Sequence, residues 1–216
     1  MKTVYFKEPT KENIEVAAKI IRDGGLLAIP TETVYGLAAD AKNGEAVAAI
    51  FRAKGRPQDN PLIVHIADMS ALPELAVEIP QKALALASVY WPGPLTMIFK
   101  KSGVIPPEVS AGLDTVAVRM PAHPVAAALI RKSGCPLAAP SANRSGIPSP
   151  TDAARVMEDI LPYLGVEPKY TNAELAKLST NAPAVVGKNT TAAQAAITNV
   201  GLSARVVGSG TTVIKQ

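Results

Sequence analysis

Apolar residues along this chain follow two patterns that alternate with each other. Apolar positions recur every three or four residues in four segments, at 10–25, 44–55, 80–90 and 124–133. Short continuous or alternating apolar runs lie before, between and after these segments, at 3–6, 26–30, 61–66, 96–100, 114–121 and 136–140. The first pattern predicts helices, and short runs bounded by Pro or Gly predict strands. The alternation predicts an α/β fold: a twisted, open, mixed sheet flanked by helices.

The run at 114–121 alternates most regularly. Val116, Val118 and Met120 share one face of the predicted strand, and Thr115 and Arg119 lie on the other. An arginine within such a strand needs an anion or an open cleft, because burial of an unpaired charge is costly. Arg119 is therefore a candidate binding residue.

The pattern changes near residue 160, so we expect residues 1–160 to form one domain. The stretch at 161–183 contains three prolines and few strand signals, so we expect residues 161–181 to form a linker. Residues 182–216 contain a short capped helix and a hairpin signal, which predicts a βαββ-like appendage. Such a unit is too small to bury a core alone.

The composition indicates the expected cellular compartment and limits the expected binding partners. The chain of 216 residues is 48% hydrophobic and has one cysteine, Cys135, which favours a reducing cytoplasm over a disulfide scaffold. No run approaches the roughly 20 apolar residues of a membrane helix, so no membrane association is expected. The net charge of +4 is uneven: residues 1–160 carry 17 Lys and Arg against 16 Asp and Glu, and residues 161–216 carry five against two. Any RNA affinity would need a local basic surface.

Three polar loops hold most of the unusual chemistry, at 30–36, 54–61 and 140–151. We expect each to follow a strand, where open α/β sheets place ligands. Lys54 and Arg56 close a helix, where cations are favoured without any ligand, but they could equally bind phosphate with help from Asn60. His65 could be a core residue rather than a ligand contact, and the serines and Asn143 of the third loop could be turn formers.

Several standard sites are missing. The sequence has no GxxxxGK loop, no GxGxxG after a strand and no GxSxG elbow. One cysteine and two histidines, His65 and His123, give no metal-ligand spacing. A nucleotide would need an unconventional pocket.

Five motifs in order carry a resemblance to a known family. These are PTETVYGL, AKGRPQDNPLIVHI, WPGPLTMI, DTVAVRMPAHP and PLAAPSANRSGIPSPT. Over about residues 10–158 the chain resembles the YrdC-like threonylcarbamoyl-AMP synthases. The resemblance implies a nucleotidyltransferase that forms threonylcarbamoyl-AMP and pyrophosphate from L-threonine, bicarbonate or carbon dioxide, and ATP. Separate proteins would transfer the threonylcarbamoyl group to tRNA, and the family's basic cavity has also been proposed to bind double-stranded RNA.

The resemblance also implies the site residues. The L-threonine pocket maps onto Thr33, His65, Arg119 and Ala139. The ATP contacts map onto Arg56, Asn60, Thr115, Ser141, Asn143 and Ser149, with Tyr35 and Lys54 nearby. Lys54 and Arg56 are the candidate catalytic residues, expected to bind the triphosphate. Mg²⁺ is expected with ATP, held by phosphates and water.

The chain departs from the family pattern after residue 158. An ESTVVD-like stretch and an LRPG-like stretch are absent, and residues 182–216 resemble the first part of a PASTA module of penicillin-binding proteins. PASTA modules are extracellular, which conflicts with a cytoplasmic synthase and suggests a fusion near 155–162. The alternatives are therefore an inactive fusion product, a non-catalytic module that binds double-stranded RNA or tRNA, and a peptidoglycan-binding appendage.

Overall fold

The computed structural model describes residues 3–6, 8–55, 57–143, 149–152, 156, 189 and 191–192. The chain divides into two compact units, Met1–Glu167 and Pro168–Gln216. The predicted linker at 161–181 and nearly all of the predicted PASTA-like appendage at 182–216 lie outside the described residues. The domain boundaries at 160 and 181 stay predictions.

Within the described part of the first unit, helices and strands alternate as the sequence predicts. The strands are β1 Leu27–Ile29, β2 Gly36–Asp40, β3 Ile63–His65, β4 Ala76–Val77, β5 Thr96–Lys101, β6 Thr115–Arg119 and β7 Leu137–Ala138. The helices are α1 Lys11–Arg22, α2 Gly44–Lys54, α3 Leu72–Leu75, α4 Gln81–Tyr90, α5 Pro107–Ser110 and α6 Pro124–Ser133, with a 3-10 turn at Met69–Ala71.

The seven strands form one sheet in the order β1-β2-β7-β3-β6-β5-β4. β3 and β6 run parallel, and the other neighbouring pairs are antiparallel. The prediction of a mixed α/β sheet with helices is therefore confirmed. β3, which carries His65, lies at the centre of the sheet.

Local sequence signals explain where the longer helices begin and end. The Thr10 hydroxyl accepts a hydrogen bond from the backbone N–H of Asn13 at 3.2 Å and caps α1. The Asn43 side chain caps α2 in the same way, through the N–H of Ala46 at 3.1 Å. α2 ends at Gly55, whose φ of 58° is in the left-handed region that glycine tolerates.

The two faces of the sheet are covered differently. On one face, Val64, Val116 and Val118 pack in a core that includes Phe51 of α2. On the other face, α1 and α6 pack over residues of β1, β2 and β7. This second cover does not reach β5, since Ile98 on that face is 71% exposed. The face that carries Arg119 is therefore covered by helices over β1, β2 and β7 and is open to solvent at β5.

Two expectations about secondary structure were wrong, and one strand was not predicted. Residues 3–6 form no strand, and Val4 and Tyr5 are exposed there, without the neighbouring strand that a ladder needs. Residues 36–40 form β2, which the sequence did not predict because its small residues lack a strand signature. The loop at 54–61 follows helix α2 and leads into β3, so it does not follow a strand.

Among the described residues, no helix is both long enough and apolar enough to span a membrane.

Candidate ligand-binding site

The site is organised by the parallel pairing of β3 with β6. His65 pairs with Arg119, and Ile63 pairs with Ala117, so these side chains share one face of the sheet. Thr115 lies on the same face at the start of β6 and is half-buried. His65 and Arg119 are only 3% and 8% exposed. Two polar side chains are thus held side by side at the centre of the sheet.

Arg119 has an anionic partner, as its position in the strand requires. Its Nη2 lies 2.9 Å from Glu32 Oε1 and 3.3 Å from Thr33 Oγ1, where it donates to the threonine hydroxyl. Its Nε is buried without a hydrogen-bond partner in the structure described. A buried N–H without an acceptor is costly, so the guanidinium has capacity for a further acceptor.

Glu32 is a site residue that sequence reasoning missed. Partial burial raises the pKa of this carboxyl, but hydrogen bonds from Arg119 and from the backbone N–H groups of Glu32 and Ala122 outweigh burial. The pKa of Glu32 therefore lies below its ordinary value, and the side chain is anionic at neutral pH. The available signal was its position next to Thr33 in the first polar loop, together with the need of Arg119 for a counterion.

His65 is held as a neutral imidazole. Burial first, and then the charge of Arg119, lower the pKa of His65 to about 4. Its Nδ1 lies 3.2 Å from the backbone oxygen of Ile63. A neutral imidazole can donate or accept a hydrogen bond, so it suits a polar ligand group without adding charge.

The first and third polar loops are joined by backbone hydrogen bonds. The N–H of Leu37 donates to the Pro140 oxygen at 2.9 Å, and the N–H of Ala142 donates to the Tyr35 oxygen at 2.7 Å. The Tyr35 N–H donates in turn to the Pro150 oxygen at 3.0 Å. The first and third loops therefore lie side by side.

Ala139 lies where the third loop meets β3. Its N–H donates to the Ile63 oxygen at 3.0 Å. A Cβ atom added to Gly36 would lie 3.2 Å from the Ala139 Cβ atom, so the two segments approach closely. The predicted contacts to the amino acid are thus linked through β3, β6 and the first loop. They are Thr33, His65, Arg119 and Ala139.

Lys54 makes a contact that the sequence did not suggest. It is 3% exposed, and its ammonium group donates to the backbone oxygens of Ser141 and Asn143. Ser141 Oγ donates to Asn143 Oδ1 at 2.5 Å. Lys54 therefore ties the end of α2 to the third loop. Its predicted contact with a triphosphate stays a prediction.

The remaining predicted ATP contacts are less well connected. Arg56 and residues 144–148 lie outside the described residues. Asn60 is exposed, and its amide donates to Asp59 Oδ1 at 3.1 Å. Ser149 is partly buried, one residue before the Pro150 carbonyl that Tyr35 contacts.

A separate cavity of about 480 Å³ lies beyond the ends of β3 and β6. Among its lining residues are Ala67, Met120, Pro121 and Arg131, and none of its lining residues is a predicted site residue. We place the candidate site at Arg119 instead, because charged and polar groups from three chain segments meet there. Among the described residues, no group of three His, Cys, Asp or Glu side chains could hold a metal ion.

Comparison with known proteins supports the resemblance found in the sequence. The family model for Sua5, YciO and YrdC, described as "Telomere recombination", matches residues 19–166. A threonylcarbamoyl-AMP synthase of Pyrococcus abyssi is 60% identical over 146 residues, which are 68% of this chain and 43% of that protein. One of Bacillus subtilis is 57% identical over 148 residues, again 68% of this chain and 43% of that protein.

A solved structure agrees with this comparison. The crystal structure of P. abyssi Sua5 complexed with L-threonine matches with a TM-score of 0.70 at 56% identity, covering 73% of this chain and 46% of that one. The chain thus spans less than half the length of these relatives.

Proposed function

Because the chain belongs to the Sua5/YciO/YrdC family, we propose that it is an L-threonylcarbamoyladenylate synthase. It would convert L-threonine, bicarbonate or carbon dioxide, and ATP to threonylcarbamoyl-AMP and pyrophosphate. The observation that carries this proposal is Arg119, a buried arginine whose Nε has no partner in the structure described, next to neutral His65 and to Thr33. Relatives at 57–60% identity that are named for this activity support it.

Arg119 would hold the α-carboxylate of L-threonine. Its planar guanidinium presents a fork of donors that suits a carboxylate. Thr33 and neutral His65 would hydrogen-bond the polar groups of the amino acid, and Ala139 would contribute backbone. A site whose polar side chains hydrogen-bond the polar groups of its substrate rejects analogues without those groups, because the buried polar side chains of the site are then left unpaired.

ATP would bind along the third loop. Ser141, Asn143 and Ser149 would contact the nucleotide, with Thr115 at the start of β6 and Asn60 in the loop before β3. Arg56 would meet the triphosphate, and Lys54 would contribute by fixing the loop through its contacts with the Ser141 and Asn143 oxygens. Mg²⁺ would arrive with ATP, held by phosphates and water.

The reaction needs no side-chain nucleophile. The threonine amine would add to carbon dioxide to form a carbamate, with loss of a proton from nitrogen. A carbamate oxygen would then attack the α-phosphorus of ATP, forming the P–O bond as the bond to pyrophosphate breaks. The site would contribute alignment and stabilisation of the charge on the phosphates.

We also propose the biological setting that the activity implies. The product would be consumed in the cytoplasm by proteins that transfer the threonylcarbamoyl group to adenosine in tRNA. A basic surface for RNA would be compatible with this role.

Incubation of the full chain with ATP, L-threonine, bicarbonate and Mg²⁺ tests the proposal. We expect pyrophosphate release that depends on L-threonine, with threonylcarbamoyl-AMP detected by mass spectrometry. Absence of the adenylate, together with RNA binding whose affinity falls steeply with salt, would instead favour an RNA-binding module.

A further inference from the structure

The Glu32–Arg119 ion pair offers two opposite charges at adjacent positions. Glu32 comes from the first polar loop and Arg119 from β6, and their charged atoms are 2.9 Å apart. The Arg119 side chain is 9% exposed and the Glu32 side chain is 22% exposed. Glu32 is therefore the more accessible member of the pair.

Both members retain hydrogen-bonding capacity. Each described contact of Arg119 uses Nη2, although a guanidinium has about five N–H groups. Nε is buried without a partner in the structure described. The Glu32 carboxylate makes its ion pair with Arg119 through Oε1, whereas a carboxylate has about four acceptor positions. A ligand with one acceptor and one donor can therefore bind both groups.

We propose that Glu32 binds the α-ammonium group of the amino acid whose carboxylate Arg119 holds. The inference rests on the proposed function and names a further residue that determines substrate specificity. An α-amino acid carries its ammonium and its carboxylate on one carbon. The adjacent charges of Arg119 and Glu32 are complementary to these two groups: Arg119 faces the carboxylate and Glu32 faces the ammonium.

Charge balance explains what this arrangement selects. An ion pair has no net charge, so a zwitterion of zero net charge gains two charge-assisted hydrogen bonds and leaves the local charge unchanged. A carboxylate without an ammonium group would gain only the contact with Arg119 and would meet repulsion from Glu32. The pair therefore favours amino acids over the corresponding carboxylic acids that lack the ammonium group.

Glu32 is assigned to binding and not to proton removal. The pKa of its carboxyl lies below the ordinary value, because Arg119 and two backbone N–H groups stabilise the anion against burial. A weakly basic carboxylate keeps its charge near neutral pH and is a good acceptor for an ammonium group. It is a poor acceptor for the proton that the amine loses before it reacts.

Calorimetric titration of the full chain with L-threonine and with 3-hydroxybutyrate tests the proposal. The second compound is L-threonine with hydrogen in place of the ammonium group. We expect the wild-type chain to bind L-threonine at least tenfold more tightly, as loss of one charge-assisted hydrogen bond corresponds to about 10- to 100-fold. Equal affinity for the two compounds would overturn the proposal.

Two substitutions of Glu32 separate ammonium binding from a merely structural role. Glu32→Gln removes the charge but keeps an acceptor for Arg119, so the Kd for L-threonine should rise about 10- to 100-fold while that for 3-hydroxybutyrate stays the same or falls. Glu32→Asp keeps the charge and should restore part of the preference. Equal weakening for both compounds would show that Glu32 only holds Arg119 in place, and would refute the inference.

Glu78→Gln is the matched control, because Glu78 makes an exposed ion pair with Lys100 at 2.8 Å. It should leave both affinities unchanged. Absence of threonine-dependent pyrophosphate release by the wild-type chain would contradict the proposed function. Normal release with no effect of Glu32→Gln on the preference would contradict only the role of Glu32.

Discussion

Replacement of Lys54 by methionine tests the contact that joins α2 to the third polar loop. Methionine keeps most of the apolar stem but removes the ammonium group that donates to the Ser141 and Asn143 oxygens. Because Lys54 is only 3% exposed, water replaces these hydrogen bonds poorly. Both carbonyl groups lose the hydrogen bond from Lys54, and the loop loses this tether to α2.

The expected loss of stability can be worked from these contacts. A hydrogen bond that involves a charged group contributes about 1.5–3 kcal/mol, so two give about 3–6 kcal/mol. Removal of a buried charge recovers part of this. We therefore expect a net fall in the free energy of unfolding of about 2–3 kcal/mol. For a chain of this size, that lowers Tm by roughly 5–10 °C.

Urea unfolding and thermal unfolding of the full chain measure the effect. Lys82→Met is the control, since Lys82 is exposed on α4 and its loss should change stability by less than about 0.5 kcal/mol. The KM for ATP should also rise, because the loosened loop carries Ser141, which is a proposed contact to the nucleotide. A Lys54→Met chain as stable as the control would refute the tether.

Two further predictions concern single residues of the site. The pKa of His65 is about 4 in the folded chain and roughly 6.5 when unfolded, so the unfolded state takes up its proton first as pH falls. Neutral His65 therefore contributes its full stabilisation of the folded state above pH 6.5 and loses it towards pH 4. The difference in free energy of unfolding between wild type and His65→Gln should fall by about 3 kcal/mol from pH 7 to 4. A difference that stays constant with pH would contradict this. Ser141→Ala should raise the KM for ATP about tenfold without changing that for L-threonine, and an equal rise in both would argue against a nucleotide contact.

The elements with strong local signals could be predicted from the sequence. α6 begins at Pro124 and ends before Gly134, whose φ of 68° suits glycine, so both ends are marked in the sequence. β2 could not be predicted, because its residues are small. It becomes a strand through pairing with β1 on one side and with β7, which is distant in sequence, on the other.

Only part of the candidate site could be predicted, because some of its contacts join segments that are distant in sequence. The alternation of β6 was enough to indicate that Arg119 needs an anion. It could not identify Glu32, because that partner is set by how the first loop folds over the sheet. Lys54 likewise carried a local signal for a helix end, whereas its acceptors lie 87 and 89 residues further along the chain. Local pattern therefore indicates which residues need partners, and only the tertiary structure supplies the partners.

Binding of L-threonine to the full chain and to its Arg119→Ala variant tests the central claim most directly. Arg119 is proposed to hold the carboxylate, so isothermal titration should show binding by the wild-type chain and a loss of at least 100-fold in the variant. The affinity for ATP, which we propose to bind along the third loop, should change little. Equal binding of L-threonine by both chains would contradict the account.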